Sequence, residues 1–206
     1  MIHGPWLRDL SHPLVLASAS PRRTWILTQL GIPHVVDPAH IDEEAVFHPD
    51  PAELVLVLSR DKALAISDRR PGDLVLGADT VVYLSPDVLG KPRDSQEARK
   101  MLRSLSGKEH VVWTGIHLAL DGTPRRGLSV PAKVRFRDLS SREIDAYVDS
   151  NDPLDKAGAY GIQGAGLGLV SSIEGCFYGV AGLPVAATLE LLRDWETSAS
   201  KEPAQA

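Results

Sequence analysis

The sequence is poor in cysteine, in aromatic residues and in long apolar stretches, and each shortage excludes a class of protein. Its 206 residues, 5% of them aromatic, include a single cysteine, Cys176, so no internal disulfide can form and a reducing, cytoplasmic setting is expected. No apolar run approaches the roughly 20 residues of a membrane span. The N-terminal segment also lacks the basic-then-apolar pattern of a signal peptide. We therefore expect no membrane association.

The chain also lacks an excess of positive charge and lacks paired histidines. The formal net charge is −5, with 22 Lys and Arg against 27 Asp and Glu, which argues against a nucleic-acid partner. The seven histidines are scattered and form no His-Glu-x-x-His motif, so a histidine zinc site is not expected. With 43% hydrophobic residues, the chain is long enough to bury the core of one globular domain.

Strand and helix patterns alternate along the chain, which predicts an α/β fold built on a mixed sheet flanked by helices. A hairpin across Asp121-Gly122 is expected to extend the sheet into a second lobe. Capping patterns at Asp94 and Ser140 mark two helix starts. We expect residues 1–13 to be an N-terminal extension and residues 14–196 to form a single domain. Residues 197–206 are expected to be a disordered polar tail. Apolar runs predict further strands at 74–84, 111–120, 128–136 and 167–173, and helical spacing predicts a further helix at 51–65.

The segment 14–23 carries the most information. An apolar strand ends at two serines, Ser18 and Ser20, and the proline that follows suits the first position of a helix. Arg22 and Arg23 then lie at the positive end of the helix dipole, where cations are mildly unfavourable unless an anion binds. Free backbone N–H groups, two hydroxyls and two guanidiniums together predict a phosphate site. A solvated arginine pair, or a single minor-groove DNA-binding unit, are the alternatives.

Asp79 is the second candidate, because it lies inside the apolar run 74–82. A carboxylate in such a run is costly unless it is paired, bound to a metal or at an exposed strand end. Asp79 is therefore a candidate metal ligand or general base, with the Thr80 hydroxyl beside it, and a hydrogen-bonded aspartate at a strand end is the alternative. Lys91, between glycine and proline, is either an ordinary loop lysine or a group that faces the same cleft.

Two further segments could contribute to a binding site. Residues 158–168 contain five glycines in eleven positions, which lets the backbone approach a ligand closely. Gln163 in this segment has both a donor and an acceptor, as reading the edge of a nucleobase requires. In the acidic segment 42–44, Glu43 could supply a second metal ligand, with a solvated acidic turn as the alternative.

Taken together, these motifs resemble the Maf family, the septum-formation-inhibitor-like nucleoside triphosphate pyrophosphatases. The resemblance covers nearly the whole chain. It implies hydrolysis of a nucleoside triphosphate to the monophosphate and pyrophosphate with Mg²⁺ or Mn²⁺. It also implies an elongated α/β fold whose two lobes flank a central cleft. The motifs that carry it are Ser18-x-Ser20-Pro21-Arg22-Arg23, Gly77-Ala78-Asp79-Thr80, Gly90-Lys91-Pro92, Ser106-Gly107 with His110, Asp155 to Gly164, and Gly182-Leu183-Pro184.

The same resemblance implies roles for individual residues. Asp79 matches the family's catalytic acid and is the expected metal ligand, with Glu43 as its partner. Positions tied to base selection are matched by Arg22, Thr80 and Gln163. The expected phosphate-binding residues are Ser18, Ser20, Arg23, Lys62, Lys91 and Lys156.

Within the family, the chain is similar to the branch that acts on dTTP and UTP. The branch that acts on 7-methyl-GTP usually has Gln where Thr80 stands and Glu where Gln163 stands. The chain departs from the common pattern at Cys176-Phe177 and at Asp152. Two alternatives stay open: the same chemistry on 7-methyl-GTP or other modified purine nucleotides, and a nucleotide-binding regulator of cell division that acts through a protein partner. The oligomeric state is also open, with a homodimer as one option.

Overall fold

The structure is a computed structural model that describes residues 10–150 and 152–199. A seven-stranded sheet runs through it in the order β2-β1-β3-β5-β6-β7, with β4 also paired to β3. The strands are β1 (Leu14–Leu16), β2 (Val35–Val36), β3 (Leu74–Leu84), β4 (Asp87–Leu89), β5 (Glu109–Leu120), β6 (Thr123–Phe136) and β7 (Val170–Gly175). The first three strands pair in parallel and the remaining pairings are antiparallel.

Helices cover both faces of this sheet, so the predicted α/β class with a mixed sheet is confirmed. They are α1 (Pro21–Gln29), α2 (Pro51–Ser67), α3 (Ser95–Leu105), α4 (Ser141–Asp149), α5 (Phe177–Val180) and α6 (Val185–Ala199). Short 3-10 helices occupy Glu43–Ala45, Asp152–Asp155, Ala157–Ala159 and Gly164–Leu169.

The helix and hairpin signals in the sequence correspond to local hydrogen bonds in the structure. The Asp94 carboxylate accepts from the Glu97 backbone N–H at 2.8 Å and caps α3. At α4, Ser140 forms the expected capping box with its partner three residues on. The predicted hairpin turns at Asp121-Gly122, both of which have positive φ, 51° and 68°.

Several boundaries differ from the sequence-based expectation. β5, β6 and α2 extend beyond the predicted ranges 111–120, 128–136 and 51–65, because the hairpin strands pair up to the turn at Asp121-Gly122 and α2 continues to Ser67. The strand predicted from Leu167 begins only at Val170, because the glycine-rich segment before it forms 3-10 turns instead. At the C-terminus, residues 197–199 of the predicted disordered tail belong to α6. The hydroxyls of Thr197 and Ser198 donate to backbone carbonyls one turn earlier, which extends the helix. The rest of the tail, and residues 1–9 of the N-terminal extension, lie outside the described residues.

Successive side chains of β3 point to opposite faces of the sheet, and each face has its own core. Leu74 and Leu76 pack with α1 and α6 at one end, and Val82 packs with α3 and α4 at the other end of the same face. Val75 and Val81 pack on the opposite face against α2. The two clusters of the first face are the cores of two lobes.

Two glycines allow α2 to lie directly on the sheet. A Cβ atom at Gly77 would stand 2.0 Å from the Ser59 carbonyl oxygen, and one at Gly115 would stand 2.2 Å from the Val55 carbonyl oxygen. Any larger residue at either position would push the helix away. This close approach brings the α2 side chains to the level of the β3 backbone.

One edge of β3 is interrupted where the two lobes meet. Strand β1 pairs with β3 only as far as Leu76, and β4 begins to pair at Val82. Within the described part of the chain, no strand covers the β3 edge between these two residues. Ligands of open α/β sheets bind in crevices beyond the carboxyl ends of parallel strands, which is where this gap opens.

Candidate active site

A cleft of about 1300 Å³ opens at this gap. Its walls come from the β1–α1 turn, the loop before α2, the middle of β3 and the segments around 90 and 156–162. Every site residue predicted from the sequence except Gln163 lines it, namely Ser18, Ser20, Arg22, Arg23, Glu43, Lys62, Asp79, Thr80, Lys91 and Lys156. The structure therefore brings residues from six separate parts of the chain into one cavity.

Gln163 is not one of the described residues that line this cleft. It is half-buried and precedes the 3-10 helix Gly164–Leu169, while its neighbours Gly161 and Ile162 do form part of the wall. Its expected role in reading the base stays a prediction.

The centre of the cleft holds a buried cluster of opposite charges. The Lys62 ammonium, on α2, donates a short hydrogen bond to the Asp79 carboxylate and lies 2.7 Å from Glu43 Oε1. Lys62 and Asp79 are both more than nine-tenths buried, and Glu43 is partly exposed. The three groups join α2, β3 and the loop before α2.

Burial and pairing move the two carboxyl pKa values in opposite directions. Desolvation raises the pKa of Asp79 above its ordinary value, and the charges of Lys62 and Arg23 oppose that rise. Burial also acts to raise the pKa of Glu43, but its ion pairs with Lys62 and Lys91 outweigh that effect and lower it. Asp79 is therefore the better proton acceptor of the pair.

Arg23 is a buried anchor rather than a freely exposed cation. Its Nε donates to the Gly182 carbonyl and its Nη1 to Ser18 Oγ, both at 2.8 Å. Its Nη2 donates to Thr80 Oγ1 at 3.3 Å. Burial lowers the pKa of Arg23, and the charge of Asp79 opposes that shift. The guanidinium thus ties the start of α1 to β3 and to the turn before α6.

The start of α1 offers hydrogen-bond donors to the cleft. Ser18 Oγ accepts from Arg23 Nη1 and, at 3.3 Å, from the Ser20 backbone N–H, so its own proton is left to donate. The Ser20 side chain makes no capping hydrogen bond to α1. Uncapped N–H groups at a helix start, together with a hydroxyl donor, suit an anion.

The remaining predicted cations, Lys91, Arg22 and Lys156, line the cleft wall around this cluster. The Lys91 side chain is 60% exposed, with its ammonium 3.6 Å from Glu43 Oε2. Arg22 lies 3.8 Å from an Asp155 carboxylate oxygen. Lys156 contacts the carboxylates of Asp152 and Asp155 at 3.1 and 2.6 Å. Lys91 and Arg22 are accordingly freer to meet a ligand than Lys156.

The donor set can be compared with what a divalent cation requires. Asp79 and Glu43 converge on one ammonium, so two carboxylates already face a common cationic centre. No cluster of three or more His, Cys, Asp or Glu residues within the described ranges is arranged to hold a metal. Mg²⁺ is commonly bound through one or two carboxylates plus substrate phosphates. The pair supplies the two carboxylates that such an ion needs, and the Lys62 ammonium lies between their nearest oxygens, so the ion would take other carboxylate oxygens and the substrate phosphates as ligands.

Sequence reasoning missed two side chains of this region. Phe47, 87% exposed, stands on the cleft wall, and a lone aromatic residue in the polar segment 37–50 was a signal for it. Thr114 lies directly opposite Thr80 in the β3–β5 register and contacts its hydroxyl. A strand register cannot be read from one sequence, so nothing in the sequence singled out Thr114.

Comparison with known proteins bears on this geometry. A family model described as Maf-like protein matches residues 13–195. The chain belongs to the Maf family. Its expected resemblance is thereby confirmed, and the motifs that contain Arg23, Asp79, Lys91, Lys156 and Gly182 all contribute residues to the cleft wall.

Individual Maf proteins are similar over most of their length. A dTTP/UTP pyrophosphatase of Symbiobacterium thermophilum is 49% identical over 179 residues, which cover 87% of this chain and 92% of the relative. A dTTP/UTP pyrophosphatase of Myxococcus xanthus is 49% identical over 179 residues, covering 87% and 90%. A solved nucleoside-triphosphatase / dITP/XTP pyrophosphatase from Mycobacterium abscessus aligns with a TM-score of 0.44 at 10% identity, over 94% of this chain and 100% of that chain. None of the described helices has the length and apolar character to cross a membrane.

Proposed function

We propose that this protein hydrolyses nucleoside triphosphates to the monophosphate and pyrophosphate, with dTTP and UTP preferred. The observation that carries the proposal is the buried Asp79–Lys62–Glu43 cluster at the floor of a cleft lined by phosphate-binding groups. The printed activity of the Symbiobacterium and Myxococcus relatives supports the same reaction and the same bases.

In the proposed reaction, water attacks the α-phosphorus and pyrophosphate leaves. Asp79 accepts the proton from the attacking water, a role favoured by the raised pKa of this buried carboxyl. Lys62 holds Asp79 in place, and its positive charge favours the ionised form of that carboxyl. Mg²⁺ or Mn²⁺, held by Asp79 and Glu43, would neutralise phosphate charge and make the water more acidic.

The triphosphate would lie along the cationic side of the cleft. The Ser18 proton and the uncapped N–H groups near Ser20 face the cleft as neutral donors. Lys91 supplies exposed positive charge, Arg22 supplies charge from a partly buried position on the wall, and Arg23 adds charge from beneath. Lys156 would join them only by leaving its two carboxylate partners.

Base recognition is assigned to Arg22, Thr80 and Gln163. Thr80 is half-buried on the cleft wall, beside the Arg23 guanidinium. The single cysteine and the net charge of −5 support a cytoplasmic enzyme that works without nucleic acid or membrane.

A nucleotide panel with pyrophosphate detection tests the proposal. We expect dTTP and UTP to be cleaved faster than CTP, ATP and GTP, and Asp79→Asn to lose about 100-fold or more in rate, the range for removal of a general base. Asp87 has an exposed carboxylate on the same cleft, so Asp87→Asn is the matched control. This variant should be as active as the unaltered protein. Near-normal turnover of Asp79→Asn would refute the assignment, and a panel led by GTP or 7-methyl-GTP would overturn the choice of base.

A further inference from the structure

A chain of hydrogen bonds runs from the cleft wall into the core. Thr80 Oγ1 lies 3.0 Å from Thr114 Oγ1 across the β3–β5 pairing. The Thr114 hydroxyl, in turn, donates to the carbonyl oxygen of Gly179 in α5 at 2.8 Å. Thr114 is fully buried, at 0% exposure, so these contacts are shielded from water.

The donor of each hydrogen bond in this series follows from the carbonyl group at its end. A carbonyl oxygen can only accept, so the single proton of Thr114 goes to Gly179. Thr114 has no second proton, and the hydrogen bond between the two hydroxyls must therefore be donated by Thr80. The proton of Thr80 is thus directed away from the cleft.

Thr80 Oγ1 therefore acts as a hydrogen-bond acceptor towards the cleft. One of its lone pairs receives Arg23 Nη2 at 3.3 Å. The other lone pair is left for a donor on the cleft side, where Thr80 is half-buried and lines the wall. Any group that approaches Thr80 Oγ1 in the cleft must donate a hydrogen bond.

We propose that Thr114 is a positioning residue that fixes Thr80 as a hydrogen-bond acceptor and so selects bases with a ring N–H. This inference rests on the proposed pyrophosphatase function and deepens it. Uracil and thymine carry a proton on N3, whereas cytosine has a lone pair there. With cytosine, the N3 lone pair would face the lone pair of Thr80 Oγ1, and no hydrogen bond could form between these two acceptors.

The test is the ratio of kcat/KM for UTP to that for CTP. Thr114→Val keeps the shape of the side chain but cannot accept, so the Thr80 proton is free to turn towards the cleft and meet N3 of cytosine. We expect the ratio to fall about tenfold or more, through a rise in kcat/KM for CTP, in line with a buried hydrogen-bond mismatch. Thr114→Ser restores the hydroxyl and should restore the ratio.

Thr188→Val is the matched control. Thr188 is also fully buried and its hydroxyl donates to the Pro184 carbonyl at 2.9 Å, but it lies on α6 and does not line the cleft. It should leave the UTP to CTP ratio unchanged. A merely structural role of Thr114 would lower both rates together.

A measurement on the unaltered protein keeps the inference testable if Thr114→Val does not fold. The triphosphate of 3-methyluridine has no N3 proton, and we expect its kcat/KM to be about tenfold or more below that of UTP. Equal rates for the two nucleotides, or an unchanged ratio in folded Thr114→Val, would overturn the inference while leaving the pyrophosphatase proposal intact. Failure to cleave UTP at all would refute the proposed function itself.

Discussion

Replacing Lys62 with methionine removes the ammonium that contacts both Asp79 and Glu43. Methionine keeps the length of the buried stem, so the packing of α2 against the sheet should survive. Burial already raises the pKa of Asp79, and the charge of Lys62 opposes that rise. Without the lysine, the pKa of Asp79 must therefore move further upward.

The direction of this change follows from the contact between Lys62 and Asp79. Lys62 donates a short hydrogen bond to the Asp79 carboxylate, so its charge acts on that carboxyl at contact distance and favours the ionised form. A general base works only when deprotonated, so activity falls as the pH drops through its pKa. We expect the acidic limb of kcat/KM against pH to move to higher pH in Lys62→Met, because the charge that opposes the rise in the pKa of Asp79 is gone.

The assay is a pH–rate profile of pyrophosphate release with UTP between about pH 5 and 9. Lys91→Met is the matched control, because Lys91 is exposed and contacts Glu43 but not Asp79. Its KM should rise while its acidic limb stays in place. If activity of Lys62→Met is too low, the Asp79 carboxyl can be titrated directly by carbon NMR. An acidic limb and a carboxyl titration that match the unaltered protein would refute this reasoning.

Two further predictions concern stability. In Gly115→Ala, the new Cβ would meet the Val55 carbonyl at 2.2 Å, so urea unfolding should show a loss of about 1–3 kcal/mol or more, whereas Gly168→Ala, with open space around it, should be neutral. An equal loss at both glycines would contradict the packing argument. The second prediction concerns His110, because burial lowers its pKa from 6.5 to about 4. Between these pH values the unfolded chain binds more protons than the folded protein. The free energy of unfolding therefore falls as the pH drops from 6.5 to 4. The loss by pH 4 is on the order of 3 kcal/mol. His110→Gln should remove most of this dependence, measured by urea titrations at each pH. The same substitution at half-buried His48 is the control and should leave the dependence in place. An unchanged pH dependence in His110→Gln would contradict the assignment.

The parts of the fold that the sequence could predict depend on neighbours along the chain. Asp94 and Ser140 cap helices through backbone groups three residues away, so their patterns are visible without any tertiary contact. The Asp121-Gly122 turn is equally local, because it needs only residues that accept positive φ. Chemistry-bearing residues such as Asp79 were found because a carboxylate in an apolar run is itself an anomaly.

What the sequence could not predict depends on distant pairings. Lys62 follows the helical spacing of an apolar face, and nothing in that spacing shows that its ammonium meets Asp79. The contact exists because Gly77 and Gly115, on neighbouring strands, let α2 lie against the sheet backbone. Arg23 was predicted as a phosphate ligand, but its hydrogen bonds to three other segments show a structural anchor as well.

The alternation of side chains along β3 separates two tasks within one cleft. Asp79 faces α2 and the charged groups around Lys62, whereas Thr80, the next residue, points to the opposite face and meets Thr114. Both reach the same cavity because the edge of β3 is open between β1 and β4. Proton transfer and base choice therefore rest on different contacts. Changes at Lys62 should move the pH profile without altering the UTP to CTP ratio, and changes at Thr114 should do the reverse.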